Sequence, residues 1–177
     1  DIHYFPLPDG ESAKNSQTIA QMWDWMGSIG FTRSDLVVAI GGGTITDVTG
    51  FLGASWMRGV DWIAIPTTLA GMVDASVGGK TGINSDFGKN LIGAFHSPVK
   101  VIIDAQWLNT LPTRDIAAGM AEVIKTGFIA DPTILDLLED FDLDRDCKNF
   151  SLLNQLIEKS VAVKAKVVSA DFKENFE

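Results

Sequence analysis

Short apolar runs, each cut off by glycine or proline, alternate along the first part of the chain with stretches whose apolar residues recur every three or four positions. The first kind reads as buried strand, the second as amphipathic helix. Residues 35–40 form a run that stops at Gly41, Gly42 and Gly43, a strand entering a turn without side chains. Residues 44–57 then place Ile45, Val48, Leu52 and Trp56 on one helical face. A second strand is predicted over 62–65, ended by Pro66, Thr67 and Thr68 before a helix-like 69–76. A third is predicted over 99–103, followed by Asp104 and a short helical stretch to Leu111. Strand, helix, strand, helix and strand in this order predict an α/β fold with a Rossmann-like parallel sheet and crossover helices. Between the second and third strands, residues 78–90 are too rich in glycine for a helix and too long for a tight turn, which predicts an ordered functional loop or ribbon.

After Pro112 the pattern is helical throughout. Thr113 is placed as the cap of a helix to about residue 129, Pro132 in the first turn of the next, and Ser151 at the start of a long helix to about residue 170. The predicted boundary lies near Pro112. Residues 1–112 read as an α/β domain, and 113–177 as the beginning of an all-α domain with too little sequence to close its own core.

Composition narrows the class. Of 177 residues, 46% are hydrophobic and 17 are glycine, which excludes disorder as the main state. No apolar run approaches the roughly 20 residues of a membrane span. A lone Cys147 forms no internal disulfide and no leader-like segment precedes the first strand, so a reducing cytoplasm is the expected compartment. A net charge of −9, from 14 basic and 23 acidic residues, argues against nucleic-acid binding. The charges are unevenly spread. Seven carboxylates and one Arg between residues 131 and 146 read as a solvated surface, whereas Arg58, Lys80, Lys89 and Lys100 stand against Asp61, Asp74 and Asp86, a stretch able to hold an anion.

Several constellations carry potential chemistry. The glycine turn lets backbone N–H groups approach a phosphate at a helix N-terminus, although glycine turns also serve packing. Asp47 in that helix either complements the dipole or binds a cofactor hydroxyl. Glu122 and Lys125 share a helical face among small and apolar neighbours, as an ion pair or as ligands. Lys164 falls on the apolar stripe of Leu153, Leu156, Ile157, Val161, Val167 and Val168, where it either meets an anion or extends its ammonium to solvent. His3 and His96 read as surface or hydrogen-bonding residues. No Ser-His-Asp or Cys-His set is evident, so nucleophilic hydrolysis is disfavoured.

Taken together, these stretches resemble the 3-dehydroquinate synthases. The resemblance rests on Asp9-Gly10-Glu11 with Lys14, Gly41-Gly42-Gly43 with Asp47, Met57-Arg58-Gly59, Pro66-Thr67-Thr68-Leu69, Val73-Asp74, Gly78-Gly79-Lys80-Thr81-Gly82, Gly88-Lys89-Asn90, Thr110-Leu111-Pro112 and Ala121-Glu122-Val123-Ile124-Lys125, over nearly the whole chain. It implies a lyase dependent on NAD and on zinc or cobalt, which converts 3-deoxy-D-arabino-heptulosonate 7-phosphate to 3-dehydroquinate and phosphate in the shikimate route to aromatic amino acids. In the family scheme a hydroxyl is transiently oxidised, phosphate leaves, hydride returns and the opened enol closes in an aldol step. The implied NAD contacts are Asp9, Gly10, Glu11, Lys14, Gly42, Gly43, Asp47, Thr67, Thr68, Lys80, Lys89, Trp107 and Thr110. Glu122 matches a metal ligand; Asp74, Lys80, Asn90, Lys125 and Lys164 match substrate positions, and Arg58 an arginine that reaches the phosphate across a homodimer interface. The other metal ligands have no match in this chain, which implies an internal fragment that is inactive alone. Thr46 stands where many relatives carry Gly, and Asp115 where a longer acid is common. Competing expectations are a cyclase acting on sedoheptulose 7-phosphate or glucose 6-phosphate, and a metal-dependent polyol dehydrogenase of the same fold.

Overall fold

A computed structural model describes residues 1–173. Helix α1 (Ser16–Ser28) is capped by Asn15, whose side chain accepts from the Thr18 amide at 2.8 Å. Strands β1 (Val37–Gly41), β2 (Trp62–Pro66) and β5 (Lys100–Val101) form a parallel sheet in the order β1-β2-β5, with Ala39 opposite Ala64 and Ala64 opposite Val101. Helix α2 (Gly43–Ser55) covers one face, burying Ala39, Trp62 and Ala64 between them. On the other face Val38 and Ile40 remain 47% and 54% exposed.

The glycine-rich stretch is a ribbon. Strands β3 (Lys80–Ser85) and β4 (Gly88–Phe95) pair antiparallel, pressed on α2 where Gly50 meets Thr81. Any side chain at Gly50 would lie within 2.4 Å of the Thr81 methyl. The helix expected over 69–76 is short and contains one π-helical turn, Gly71–Ala75.

Helices α3 (Thr113–Ile129), α4 (Thr133–Leu137), α5 (Leu143–Asp146) and α6 (Phe150–Ala170) follow. Two expected positions are displaced by one residue: Pro112 rather than Thr113 lies at the cap of α3, and α6 begins at Phe150 rather than Ser151, capped by Asn149 through the Leu152 amide. Pro132 likewise lies at the cap of α4 rather than inside its first turn.

The helical part packs around a core that it does not close alone, because one wall comes from residues before 113. Leu69, Met72 and Val73 from the π-turn region and Leu108 from the preceding 3-10 turn pack with Ile116, Val123, Ile134, Leu153 and Leu156 in one buried cluster. The acidic stretch is also not uniformly solvated. Asp146 is buried and accepts from Arg145 and the Asp142 amide, which hold its carboxyl at about 2. No helix among the described residues is long and apolar enough to cross a membrane.

Candidate active site

A cleft of about 600 Å³ opens between the ribbon, the N-terminal part of α2, the π-turn and the C-terminal half of α6. Asp47, Asp74, Lys80, Asn90 and Lys164 all line it, although they come from five separate segments. Val77, Leu91, Phe95, Val168 and Phe172 supply apolar walls. Its volume suits a small ligand, and its polar groups are of both kinds a sugar needs: carboxylates accept from hydroxyls, ammonium and amide groups donate.

Lys14 anchors one end. Its side chain is 5% exposed, and its ammonium donates to Asp47 Oδ2 at 2.6 Å and to Asn90 Oδ1 at 2.5 Å. Burial pushes the Asp47 carboxyl above the usual range, opposed by the Lys14 hydrogen bond and charge. Asn84, which sequence reasoning passed over, ties the same end together: its Nδ2 donates to Glu11 Oε1 at 2.7 Å and its Oδ1 accepts from the Asn90 amide at 2.9 Å. That Asn84 bond, with the charges of Lys14 and Lys89, holds Glu11 below the usual carboxylate range. Asn90 pays for its place with a left-handed φ of 56°, a conformation asparagine tolerates better than most residues. The signal in the sequence was a pair of asparagines, Asn84 and Asn90, on either side of the Asp86-Phe87 turn.

At the other end Lys164 pairs with Asp74 at 2.9 Å, both only partly buried. The lysine on an apolar stripe therefore meets an anion across the packed helix face. The glycine turn sits between strand and helix as expected. Thr67 donates its amide to the Gly41 carbonyl at 2.8 Å, and a Cβ on Gly42 would lie 3.0 Å from the Thr68 methyl. A Cβ on Gly43 would likewise lie 3.0 Å from the Ala75 Cβ, so the turn packs closely against the segment that starts at Thr67.

Other candidates lie outside the cleft. Glu122 and Lys125 pair with each other on α3 and do not line it; Glu122 Oε2 is buried and makes no well-directed hydrogen bond. A buried carboxylate oxygen whose partner is the Lys125 ammonium is of the right type for one metal ligand, but a catalytic zinc takes three, and no group of three His, Cys, Asp or Glu gathers among the described residues. The residues present therefore fit one arm of a metal site and not a whole one. Trp107 and Thr110 sit on the 3-10 turn Ala105–Asn109 and its cap, held from outside by Lys148, which donates to the carbonyls of Leu108, Asn109 and Leu111. Arg58 is exposed on a left-handed turn and makes no ion pair among the described residues. Asp9 caps the 3-10 turn Gly10–Ala13, and Lys89 reaches Glu11 at 3.7 Å. His96 Nε2 lies 2.9 Å from the Val60 carbonyl, to which it can only donate, as expected of a hydrogen-bonding histidine.

Comparison with known proteins identifies the family. The sequence profile of the 3-dehydroquinate synthase N-terminal region matches residues 4–118 and that of the C-terminal region residues 119–177. A 3-dehydroquinate synthase of Rhodococcus erythropolis is 54% identical over 99% of this chain and 47% of its own length; one from Thermobifida fusca is 52% identical over 99% and 48%. The chain thus spans about half the length of these relatives. Among solved structures, 2-epi-5-epi-valiolone synthase from Streptomyces hygroscopicus, with NAD⁺ and Zn²⁺ bound, superposes with a TM-score of 0.90 at 30% identity, over 96% of this chain and 48% of that one. A 2-deoxy-scyllo-inosose synthase complexed with carbaglucose-6-phosphate, NAD⁺ and Co²⁺ gives 0.81 at 28%, over 94% and 45%. A maleylacetate reductase from Agrobacterium tumefaciens, at 17% identity and 0.62, shares the fold. With two adjoining profiles covering residues 4–177 and relatives identical at half of all positions, the chain belongs to the 3-dehydroquinate synthase family.

Proposed function

We propose that this chain supplies the cofactor-binding part and much of the substrate cleft of a 3-dehydroquinate synthase, a cytoplasmic and homodimeric lyase when complete. The observation that carries the proposal is the convergence of Asp47, Asp74, Lys80, Asn90 and Lys164 on one cleft beside the glycine turn. Residues 1–112 form the NAD-binding part and 113–177 the beginning of the metal- and substrate-binding part. The NAD⁺ of the two solved cyclases supports a dinucleotide here, and their Zn²⁺ and Co²⁺ a divalent metal.

Gly42 and Gly43 bring backbone close to the pyrophosphate, while Asp47, fixed by Lys14, accepts from a ribose hydroxyl. Thr67, Thr68, Trp107 and Thr110 complete the cofactor wall, with Asp9, Gly10, Glu11 and Lys89 at its rim. When bound, NAD supplies a transient hydride acceptor and a metal polarises the reacting oxygens. The chain's own residues orient the sugar: Asp74 accepts from its hydroxyls, Asn90 donates, and Lys80 and Lys164 offset the phosphate and carboxylate charges, while Arg58, outside this cleft, reaches the phosphate bound by the partner subunit across the homodimer interface. Glu122 provides one metal ligand, held by Lys125. Lys164 exchanges its Asp74 partner for an anionic group of the substrate.

The test uses the chain completed to the length of its relatives, with 3-deoxy-D-arabino-heptulosonate 7-phosphate, NAD below the substrate concentration, and zinc. Inorganic phosphate accumulates while NADH does not. Phosphate released instead from sedoheptulose 7-phosphate or glucose 6-phosphate assigns another cyclase, and stoichiometric NADH a polyol dehydrogenase.

A further inference from the structure

The turn that carries Arg58 is strained and is held from outside. Met57 has φ 47° and ψ 28°, Arg58 has φ 69°, and Gly59 follows at 119°, so two side-chain-bearing residues in succession occupy the left-handed region. Such backbone persists only where the surroundings over-determine it. Here the surroundings are the end of α1 and the loop after it. Trp23 Nε1 donates to Ser55 Oγ at 3.0 Å, Trp56 Nε1 donates to the Phe31 carbonyl at 3.4 Å, and Arg33 Nη2 donates to the Met57 carbonyl at 2.7 Å. The loop is itself fixed, since Asp35 Oδ2 accepts from both the amide and the hydroxyl of Thr32 at 2.7 Å. Arg33 is the one of these ties that grips the left-handed segment directly, one peptide before Arg58. Both arginines are exposed, so neither is needed to fill a core.

We infer that Arg33 is a positioning residue for Arg58: its charge-assisted bond to the Met57 carbonyl selects the left-handed turn that presents the Arg58 guanidinium outward, toward an anion. Without that bond the turn relaxes to commoner backbone angles and swings the guanidinium away. The inference rests on the reading that Arg58 binds the substrate phosphate.

The experiment is a double-mutant cycle on the completed enzyme, scored by phosphate release with 3-deoxy-D-arabino-heptulosonate 7-phosphate and by thermal melting. Arg58→Ala is expected to lower kcat/KM roughly 10- to 100-fold, the loss of a charged hydrogen bond. Arg33→Ala lowers it by a comparable factor with little change in melting, and Arg33→Lys, which keeps a cationic donor, recovers part of it. In the Arg58→Ala background Arg33→Ala adds no further loss. If Arg58→Ala costs activity while Arg33→Ala is neutral, or if the two losses multiply, Arg33 does not act through Arg58 and the inference is overturned alone. If Arg58→Ala leaves kcat/KM unchanged, the phosphate reading falls and the inference with it.

Discussion

The two ends of the cleft are built from the same chemistry, an ammonium against a carboxylate, but in opposite settings. Lys14 is almost fully buried, and its partners come from α2 and the ribbon, so one ammonium welds three segments together. Lys164 and Asp74 are 23% and 34% exposed, and their pair joins α6 to the π-turn at 2.9 Å in a partly exposed position. A pair built on a buried ammonium is costly to break, since the Asp47 beside Lys14 is 23% exposed but Lys14 itself only 5%; a pair exposed on both sides exchanges partners at little cost. The difference teaches that the end beside the glycine turn is made to stay as it is, whereas the opposite end is made to give up its internal partner for an incoming anion.

Substitutions can break this comparison. The largest effect is expected for Lys14→Met, which strands the Asp47 carboxyl in the cleft wall and removes the clamp on Asn90. A loss of about 3 kcal/mol is expected in chemical denaturation, with NAD binding lost by calorimetry in the completed enzyme. Next comes Gly119→Ala on α3. A Cβ there would meet Leu69 Cβ at 2.6 Å and the Ala70 backbone nitrogen at 2.7 Å. Neither can move without shifting the segment that leads to Asp74. Overpacking of this kind costs about 1–3 kcal/mol, and KM for the substrate should rise while NAD affinity holds.

Asp74→Asn should sharpen the contrast, because a partly exposed pair contributes under about 1 kcal/mol to stability. Denaturation should hardly register it, whereas turnover should fall steeply. The smallest effect is a pH dependence far from the cleft. Asp146 is held at about 2, below the roughly 3.9 of an unfolded aspartate. Its contribution is therefore fully present above about pH 4 and is lost as pH falls toward 2. Asp146→Asn should flatten that acid limb in a pH series of melting temperatures, leaving the curve above pH 5 parallel to the wild type.

Much of the fold was legible because the strands of its parallel sheet are short apolar runs cut off by glycine or proline, although β1 is buried on one face only. Val37, Ala39, Trp62 and Ala64 belong to runs that only a packed strand explains, and the glycine turn marks where β1 gives way to α2. The ribbon was legible only as a loop or ribbon, since Thr81, Gly82 and Ile83 are buried in succession and the period of two is lost. The shared core was not legible. That Leu69 and Met72 wall the helical half depends on tertiary packing between segments some fifty residues apart, which no local pattern records. For the site, Lys164 announced itself by standing on an apolar stripe. Asn84 and Arg33 did not, because an asparagine in a hairpin and an arginine in a loop are ordinary until their partners are seen.

The contrast between a fixed and an exchangeable end is most directly tested by a crystal structure of the completed enzyme with NAD and a phosphonate analogue of the substrate. Lys14 should keep both Asp47 and Asn90, while Lys164 should have left Asp74 for the ligand. A Lys164 still paired with Asp74 and out of reach of the analogue, or a Lys14 released from Asp47, would contradict the account.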